Sequence, residues 1–306
     1  MEVFTYDDYI KSIHTLRLNN VFQLAEEGES YNFGEVENKE QIFKIVSKLM
    51  EKVLKNEREI SSIINNYIEF EEKIKAKDLE RYEEKVITKK KIDRKNIVYK
   101  MKNKNIFFLF RETEKINNNI LFEVLNYCVN IIYSWNAELK AKTEIEYPIV
   151  IPTLIYTGDE EVEIEDNFSK MQISDYIFEN YEIDFKYNVI EKNKFSVENL
   201  IKENTLFSYV LALGKVNNNK EFKMMLAKIL NSSKEKKRIK GGLYKILEVI
   251  FRKLTNYDLT EKEIYEIKNI IVKYFLDTNC TKEKVIKYLK LTKEEQKIYL
   301  DQWIYE

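Results

Sequence analysis

The sequence is poor in the residues that carry most metal and nucleophile chemistry. Among its 306 residues there are two cysteines and one histidine, His14. One histidine cannot build a histidine-rich metal site, and Cys128 and Cys280 are too far apart to form a CxxC zinc motif. Serine–histidine–aspartate or cysteine–histidine catalysis would need His14, which lies in a helical pattern without a nucleophile motif. Carboxylates, lysines, tyrosines and hydroxyls remain, so a carboxylate site for Mg²⁺ is the expected class if the protein is an enzyme.

An excess charge of one sign and long hydrophobic runs are also missing. The chain has 51 basic and 52 acidic residues, which give no overall basic field for nucleic acid. Its 44% hydrophobic and 13% aromatic content favours a folded protein. The apolar runs at 106–110 and 149–156 are far too short to span a bilayer. The first ten residues contain acids and no apolar core, so we expect no signal peptide and a cytoplasmic location.

Hydrophobic periodicity predicts an α/β region that is followed by a helical region. Helices are predicted at 5–27, 42–54, 60–67 and 119–135, and strands at 96–100, 106–110, 147–157 and 185–190. A polar turn at 102–105 joins the first two strands into a hairpin. The stretch 78–95 is strongly charged and less regular. From residue 196 onward only helices are predicted, with capping boxes at Thr260/Glu263 and Thr292/Glu295.

A locally basic stretch at 81–104 interrupts the near-zero charge of the chain. It holds ten basic and three acidic residues, and it borders the predicted hairpin. We interpret it as a phosphate-facing strip that could bind nucleic acid. Its binding candidates are Lys89, Lys90, Lys91, Arg94, Lys95 and Lys100. The alternative is a solvated surface without a partner.

A hairpin followed by an apolar helix and a buried strand is one way to build a metal-dependent nuclease core. Such a site pairs an acid on one strand with an acid and a Lys or Gln at i and i+2 on the next, because residues i and i+2 share a face. The stretches NIVYKMKNKNIFFLFRETEK (96–115), ILFEVLNYCVNII (120–132) and YPIVIPTLIYTG (147–158) resemble the recombination-promoting nuclease (Rpn), or YhgA-like transposase, family. The resemblance implies a PD-(D/E)XK nuclease-like mixed sheet flanked by helices.

The same resemblance places the family's metal site on residues that do not suit a metal. Asn96 stands where the family has the Asp of its first strand, and Arg111 and Thr113 stand where it has Glu and Gln. Glu40 takes the place of an acid on the family's first helix. A hard divalent cation should not tolerate a guanidinium among its ligands. We therefore expect these positions to be degenerate, with no catalytic residue, no metal and no cofactor.

Two further expectations concern the acids around this site. Glu123 stands where the family has Arg, so the exchange with Arg111 has the form of a charge-reversed pair. We predict that the two side chains form a salt bridge. The acids Asp93, Glu112 and Glu114 could instead form a displaced Mg²⁺ site. Strand parity places Glu112 and Glu114 on the face opposite Arg111, unless the strand carries a bulge.

The resemblance and the patterns together divide the chain into three parts. These are an N-terminal helical extension at 1–38, a nuclease-like core at 39–195 and an all-helical C-terminal region at 196–306. Three functions stay open at this point. The first is an inactive nuclease-like protein that binds nucleic acid or a protein partner, the second an active Mg²⁺-dependent endonuclease with a displaced site, and the third a pure interaction module. The C-terminal helices are a candidate surface for a protein partner or a homodimer, and no membrane association is expected.

Overall fold

A computed structural model describes residues 39–82, 96–138, 147–161, 167–171, 183–234, 240–254 and 259–300. The strands are β1 (Leu79–Tyr82), β2 (Asn96–Met101), β3 (Ile106–Thr113), β4 (Ile149–Tyr156) and β5 (Asn188–Glu191). The first helices are α1 (Lys39–Leu54), α2 (Glu57–Tyr67) and α3 (Asn118–Glu138). The later helices are α4 (Val197–Glu203), α5 (Leu206–Leu213), α6 (Asn219–Ser233), α7 (Lys240–Lys253), α8 (Glu261–Asp277), α9 (Lys282–Leu289) and α10 (Lys293–Leu300).

The five strands form one mixed sheet in sequential order. β1, β2 and β3 pair antiparallel, whereas β4 and β5 run parallel to β3. The polar turn at 102–105 makes the β2–β3 hairpin possible. A parallel partner for β3 needs a long crossover, and α3 supplies it. The result is a mixed sheet flanked by helices, which is consistent with a nuclease-like core.

Alternate residues of the central strands enter two separate hydrophobic cores. Phe107 and Leu109 of β3 face α3, where they pack with Leu121 and Val124. The intervening residues of β3 enter a larger core that α1, α2 and the C-terminal helices complete. Because β3 is buried on both faces, its sequence is an uninterrupted apolar run and not an alternating one. This alternation also decides which polar side chains of β3 lie on the same face of the sheet.

Two buried charges join the C-terminal helices to the rest of the structure. The Glu59 carboxylate accepts hydrogen bonds from the backbone N–H groups of Leu206 and Phe207, at 2.9 and 3.2 Å. These N–H groups open α5, all eight residues of which are buried, and a carboxylate there satisfies otherwise unpaired donors. Lys192 donates from its ammonium group to Asp159 Oδ1 at 2.6 Å. The same group donates to the carbonyl oxygen of Gly214 at 2.8 Å.

The sequence predicted most of these elements. The hairpin, the crossover helix, the buried strand and a strand at β5 are all present, and both capping boxes form their hydrogen bonds. The missed strand is β1, which lies within the stretch expected to be irregular.

The predicted helix at 5–27, with His14, lies outside the described residues. Contacts divide the chain between residues 37 and 38, and the boundary proposed at 195/196 stays a prediction. Within the described ranges, none of the helices combines the length and apolarity needed to cross a membrane.

Candidate functional site

The paired ends of β2 and β3 bring two of the predicted site positions together. Asn96 is the first residue of β2 and lies directly opposite Arg111 of β3 in the antiparallel register. Both side chains point to the face that α3 covers, because Arg111 follows Phe107 and Leu109 in steps of two. The first turns of α3 pass over this corner and carry Glu123. Three elements therefore meet at one polar cluster.

Arg111 is the centre of this cluster. Its Nη2 donates to Glu123 Oε2 at 2.6 Å, and its Nη1 donates to Asn96 Oδ1 at 3.2 Å. The Arg111 side chain is only 7% exposed, whereas that of Glu123 is 54% exposed. The predicted salt bridge between Arg111 and Glu123 is thus confirmed. The carboxylate covers the guanidinium from the solvent side.

Thr113 lies on the same face, two residues beyond Arg111, and is also buried. Its hydroxyl donates to the carbonyl oxygen of Lys115 at 2.7 Å, and the N–H of Lys115 lies 3.4 Å from the same hydroxyl oxygen. These bonds fold the chain into a local turn at the end of the strand. The hydroxyl is therefore committed to the backbone of its own segment.

Of the acids proposed for a displaced site, Glu112 lies away from this cluster. Glu112 points to the opposite face, where its carboxylate accepts from the hydroxyls of Ser47 at 3.1 Å and Thr157 at 2.6 Å. No bulge interrupts β3 at this point, since its pairing with β4 is continuous through Thr113. Glu114 follows the strand and is exposed. The parity prediction is confirmed for Glu112, and Asp93 lies outside the described residues.

This donor set does not fit a divalent metal ion. A Mg²⁺ or Ca²⁺ site needs several anionic or neutral oxygens, whereas here a permanently charged guanidinium fills the centre. The carboxylate of Glu123 is paired with Arg111. Nowhere in the described part of the chain do three or more His, Cys, Asp or Glu side chains group in a way that could hold a metal. The chemistry that the cluster supports is ion pairing and hydrogen bonding.

The basic strip can be placed only at its edge. Lys89, Lys90, Lys91, Arg94 and Lys95 lie outside the described residues, and the structure describes no side chain for Glu40. Lys100 of β2 is described, and its ammonium group lies 4.6 Å from the ring centroid of Trp135 and 3.8 Å from Glu80. Its side chain is 18% exposed. Lys100 thus packs against α3 and pairs with β1, which leaves only part of it at the surface.

A second polar group, which the sequence analysis missed, lies where β4 and β5 end. The buried Lys192 bonds Asp159, as described above, and its carbonyl oxygen accepts from the ammonium group of Lys215 at 3.1 Å. Burial and the nearby Lys192 charge lower the pKa of Lys215. The sequence offered no signal for this group, because Lys192 is one of many lysines and nothing local marks it as buried.

A family model for the YhgA-like putative transposases matches residues 48–243, which is more than half of the chain. The chain belongs to this family. The matched range contains Asn96, Arg111, Thr113 and Glu123, but it begins after Glu40. The family resemblance drawn from the sequence is therefore confirmed, as is the mixed sheet with its helical C-terminal region. Neither the curated proteins nor the solved structures contain a match to the chain.

Proposed function

We propose that this protein is a member of the YhgA-like family that binds its partner without cleaving it. One observation carries the proposal: the Arg111 guanidinium is paired with Glu123 and bonded to Asn96. By the family resemblance, this is the position at which a nuclease of the PD-(D/E)XK type would hold its metal. In this interpretation the fold derives from a metal-dependent enzyme, whereas the metal site has become an ion pair.

Electrostatics explains why the substitution would remove the chemistry. Two unit charges 4 Å apart interact by about 4 kcal/mol at an effective dielectric constant of about 20, and a divalent ion doubles this repulsion. Arg111 cannot relieve the repulsion by losing its proton. Asn96 offers only a neutral amide oxygen, which already accepts from Arg111. A metal would therefore have to displace Arg111 from a buried position and leave it without Glu123.

The partner that we propose is nucleic acid, bound through the basic strip at 81–104. Its charge supports this choice, since ten basic residues against three acids are concentrated in 24 positions of a chain whose net charge is −1. The cytoplasmic location also belongs to this proposal. Both cysteines are buried and free, which suits a reducing compartment.

Restoring the family residues tests the loss of cleavage. The variant combines Asn96→Asp, Arg111→Glu and Thr113→Gln with Glu123→Arg, so that the charge pair is reversed and not broken. Its matched control carries only Arg111→Glu and Glu123→Arg. We expect the wild-type protein to be inactive on DNA and RNA with Mg²⁺ or Mn²⁺, and the full reversion to bind Mn²⁺ by calorimetry and to cleave. The control should keep the fold but bind Mn²⁺ more weakly than the full reversion does.

Two results would contradict the proposal. Reproducible metal-dependent cleavage by the wild-type protein that disappears in Glu112→Gln would establish the displaced site instead. Nucleic-acid binding that does not weaken as salt is raised would argue against a nucleic-acid partner. The protein would then be a protein-interaction module. The measurement is a salt titration of binding, in which changing Lys89, Lys90, Lys91 and Lys95 to Gln should lower the slope by about 0.9 for each lost phosphate contact.

A further inference from the structure

The outer face of α3 carries exposed apolar side chains, with one exposed acid, Glu123, at its edge. The helix packs its other side against the sheet through Leu121, Val124, Cys128 and Ile131. The side chains that face away form a stripe, named here the outer stripe: Phe122, Leu125, Val129, Ile132 and Tyr133. Its exposed neighbours are Asn119, Asn126 and Glu123, and Glu123 is paired with Arg111. In a chain that is 34% charged, a helix that is apolar on both sides indicates a second buried face.

The exposed area of the outer stripe is large for single residues on a surface. Phe122 and Tyr133 are each 61% exposed and Val129 is 53% exposed, while Leu125 and Ile132 are half-buried. The two rings alone leave about 240 Å² in water, if a whole aromatic side chain has about 200 Å². With the three aliphatic residues the stripe reaches about 400 Å², a size typical of functional patches on monomers.

We propose that the outer stripe binds the outer stripe of a second copy of this chain, with the two α3 helices antiparallel. The spacing supports this occupant, because Phe122, Leu125, Val129 and Ile132 follow one another at intervals of three, four and three residues. These intervals are the same in both directions. A reversed copy therefore sets Phe122 against the partner's Ile132 and Leu125 against the partner's Val129. This is the self-complementarity that a two-fold interface requires.

The residues around the centre of the stripe fit the same arrangement. The symmetry axis passes near residue 127, so Asn126 of one copy lies close to Asn126 of the other. An amide both donates and accepts, so two of them can bond each other across the axis without leaving a charge unpaired. Two such stripes bury about 800 Å² in total, below the roughly 1,200 Å² of stable specific interfaces and within the class of weak, transient ones. We therefore expect a weak dimer with a dissociation constant in the micromolar range or above.

The first experiment is sedimentation velocity of the full chain across a concentration series. We expect the average mass to rise from 36.9 kDa toward twice that value. Val129→Lys should weaken the dimer about tenfold or more, since it places a charge in the seam. The control Met224→Lys changes an apolar residue that is 42% exposed on α6, and it should leave the dimer unchanged. Circular dichroism verifies that both variants are folded.

A second experiment tests the symmetry itself. Asn126→Asp and Asn126→Lys should each weaken self-association, because each puts two like charges beside the axis. An equimolar mixture of the two variants should associate at least as tightly as the wild type, because opposite charges then meet. A wild-type protein that stays monomeric at about 100 µM, where a micromolar dissociation constant would make most chains dimeric, would overturn the proposal. A dimer that Val129→Lys does not affect, or that only Tyr288→Lys on α9 disrupts, would overturn it as well.

Discussion

The Arg111–Glu123 pair makes one prediction that can be developed quantitatively. Replacing Glu123 with Ala removes the carboxylate that Nη2 of Arg111 contacts at 2.6 Å and leaves a guanidinium that is 93% buried beside Asn96. Breaking a fully buried pair by removing one partner costs about 3–5 kcal/mol. An exposed pair is worth about 0.2–1 kcal/mol. Because Arg111 is buried and Glu123 is half-exposed, water can replace part of the lost interaction.

We therefore expect Glu123→Ala to lower the free energy of unfolding by about 2 kcal/mol, near the value for a hydrogen bond to a charged group. At an unfolding entropy of about 2.1 cal/mol/K per residue, that corresponds to a fall in Tm of about 3 °C for this chain. The same change in a protein that already carries Arg111→Met should cost much less, since the buried charge is then absent. The difference between the two costs is the coupling energy of the pair.

The chain contains a matched control for this measurement. Lys104 and Glu72 form an ion pair with the same 2.6 Å distance, but both side chains are substantially exposed, at 41% and 61%. Glu72→Ala should change Tm by less than about 2 °C, within the range of exposed pairs. Equal small losses for Glu72→Ala and Glu123→Ala, measured by calorimetry in the same buffer, would refute the argument. The stability of the fold would then not depend on the pairing of Arg111 with Glu123.

Two other predictions concern the packing around the same sheet. Gly158→Ala should destabilise the protein by about 2–4 kcal/mol, because a Cβ there would overlap the carbonyl oxygen of Glu114. Gly241→Ala, where nothing lies within 4 Å, should be neutral or slightly stabilising in urea titrations, and equal losses at both glycines would contradict this account. Burial raises the pKa of the Cys128 thiol to about 12, so the thiolate is almost absent at pH 8. Cys128 should resist alkylation at pH 8 in the native protein and react after unfolding; mass spectrometry showing rapid native labelling would contradict its burial.

Local patterns predicted β2 to β5 and the crossover helix, and the family resemblance predicted the contact between Arg111 and Glu123. Strand parity placed Glu112 and Arg111 on opposite faces, and the exchange of charges between 111 and 123 predicted a contact across 12 positions. β1 was missed because its four residues, LERY, contain two charges and no apolar run. It is a strand because it pairs with β2 at the edge of the sheet, and edge pairing has no signature in so short a segment.

By itself, the sequence determined the kinds of chemistry that this chain can carry. Its shortage of histidine and cysteine limited an enzyme to carboxylates. Asn96 and Arg111 stand where the family resemblance places two of them, and Thr113 stands where it places a glutamine. Only the tertiary structure decided how these residues are used. The antiparallel register set Asn96 against Arg111, and the crossover helix placed Glu123 over both. The physical reason is that backbone pairing and packing between distant segments fix such contacts. The same packing leaves one face of α3 apolar and exposed, which its sequence pattern alone could not distinguish from a fully buried helix.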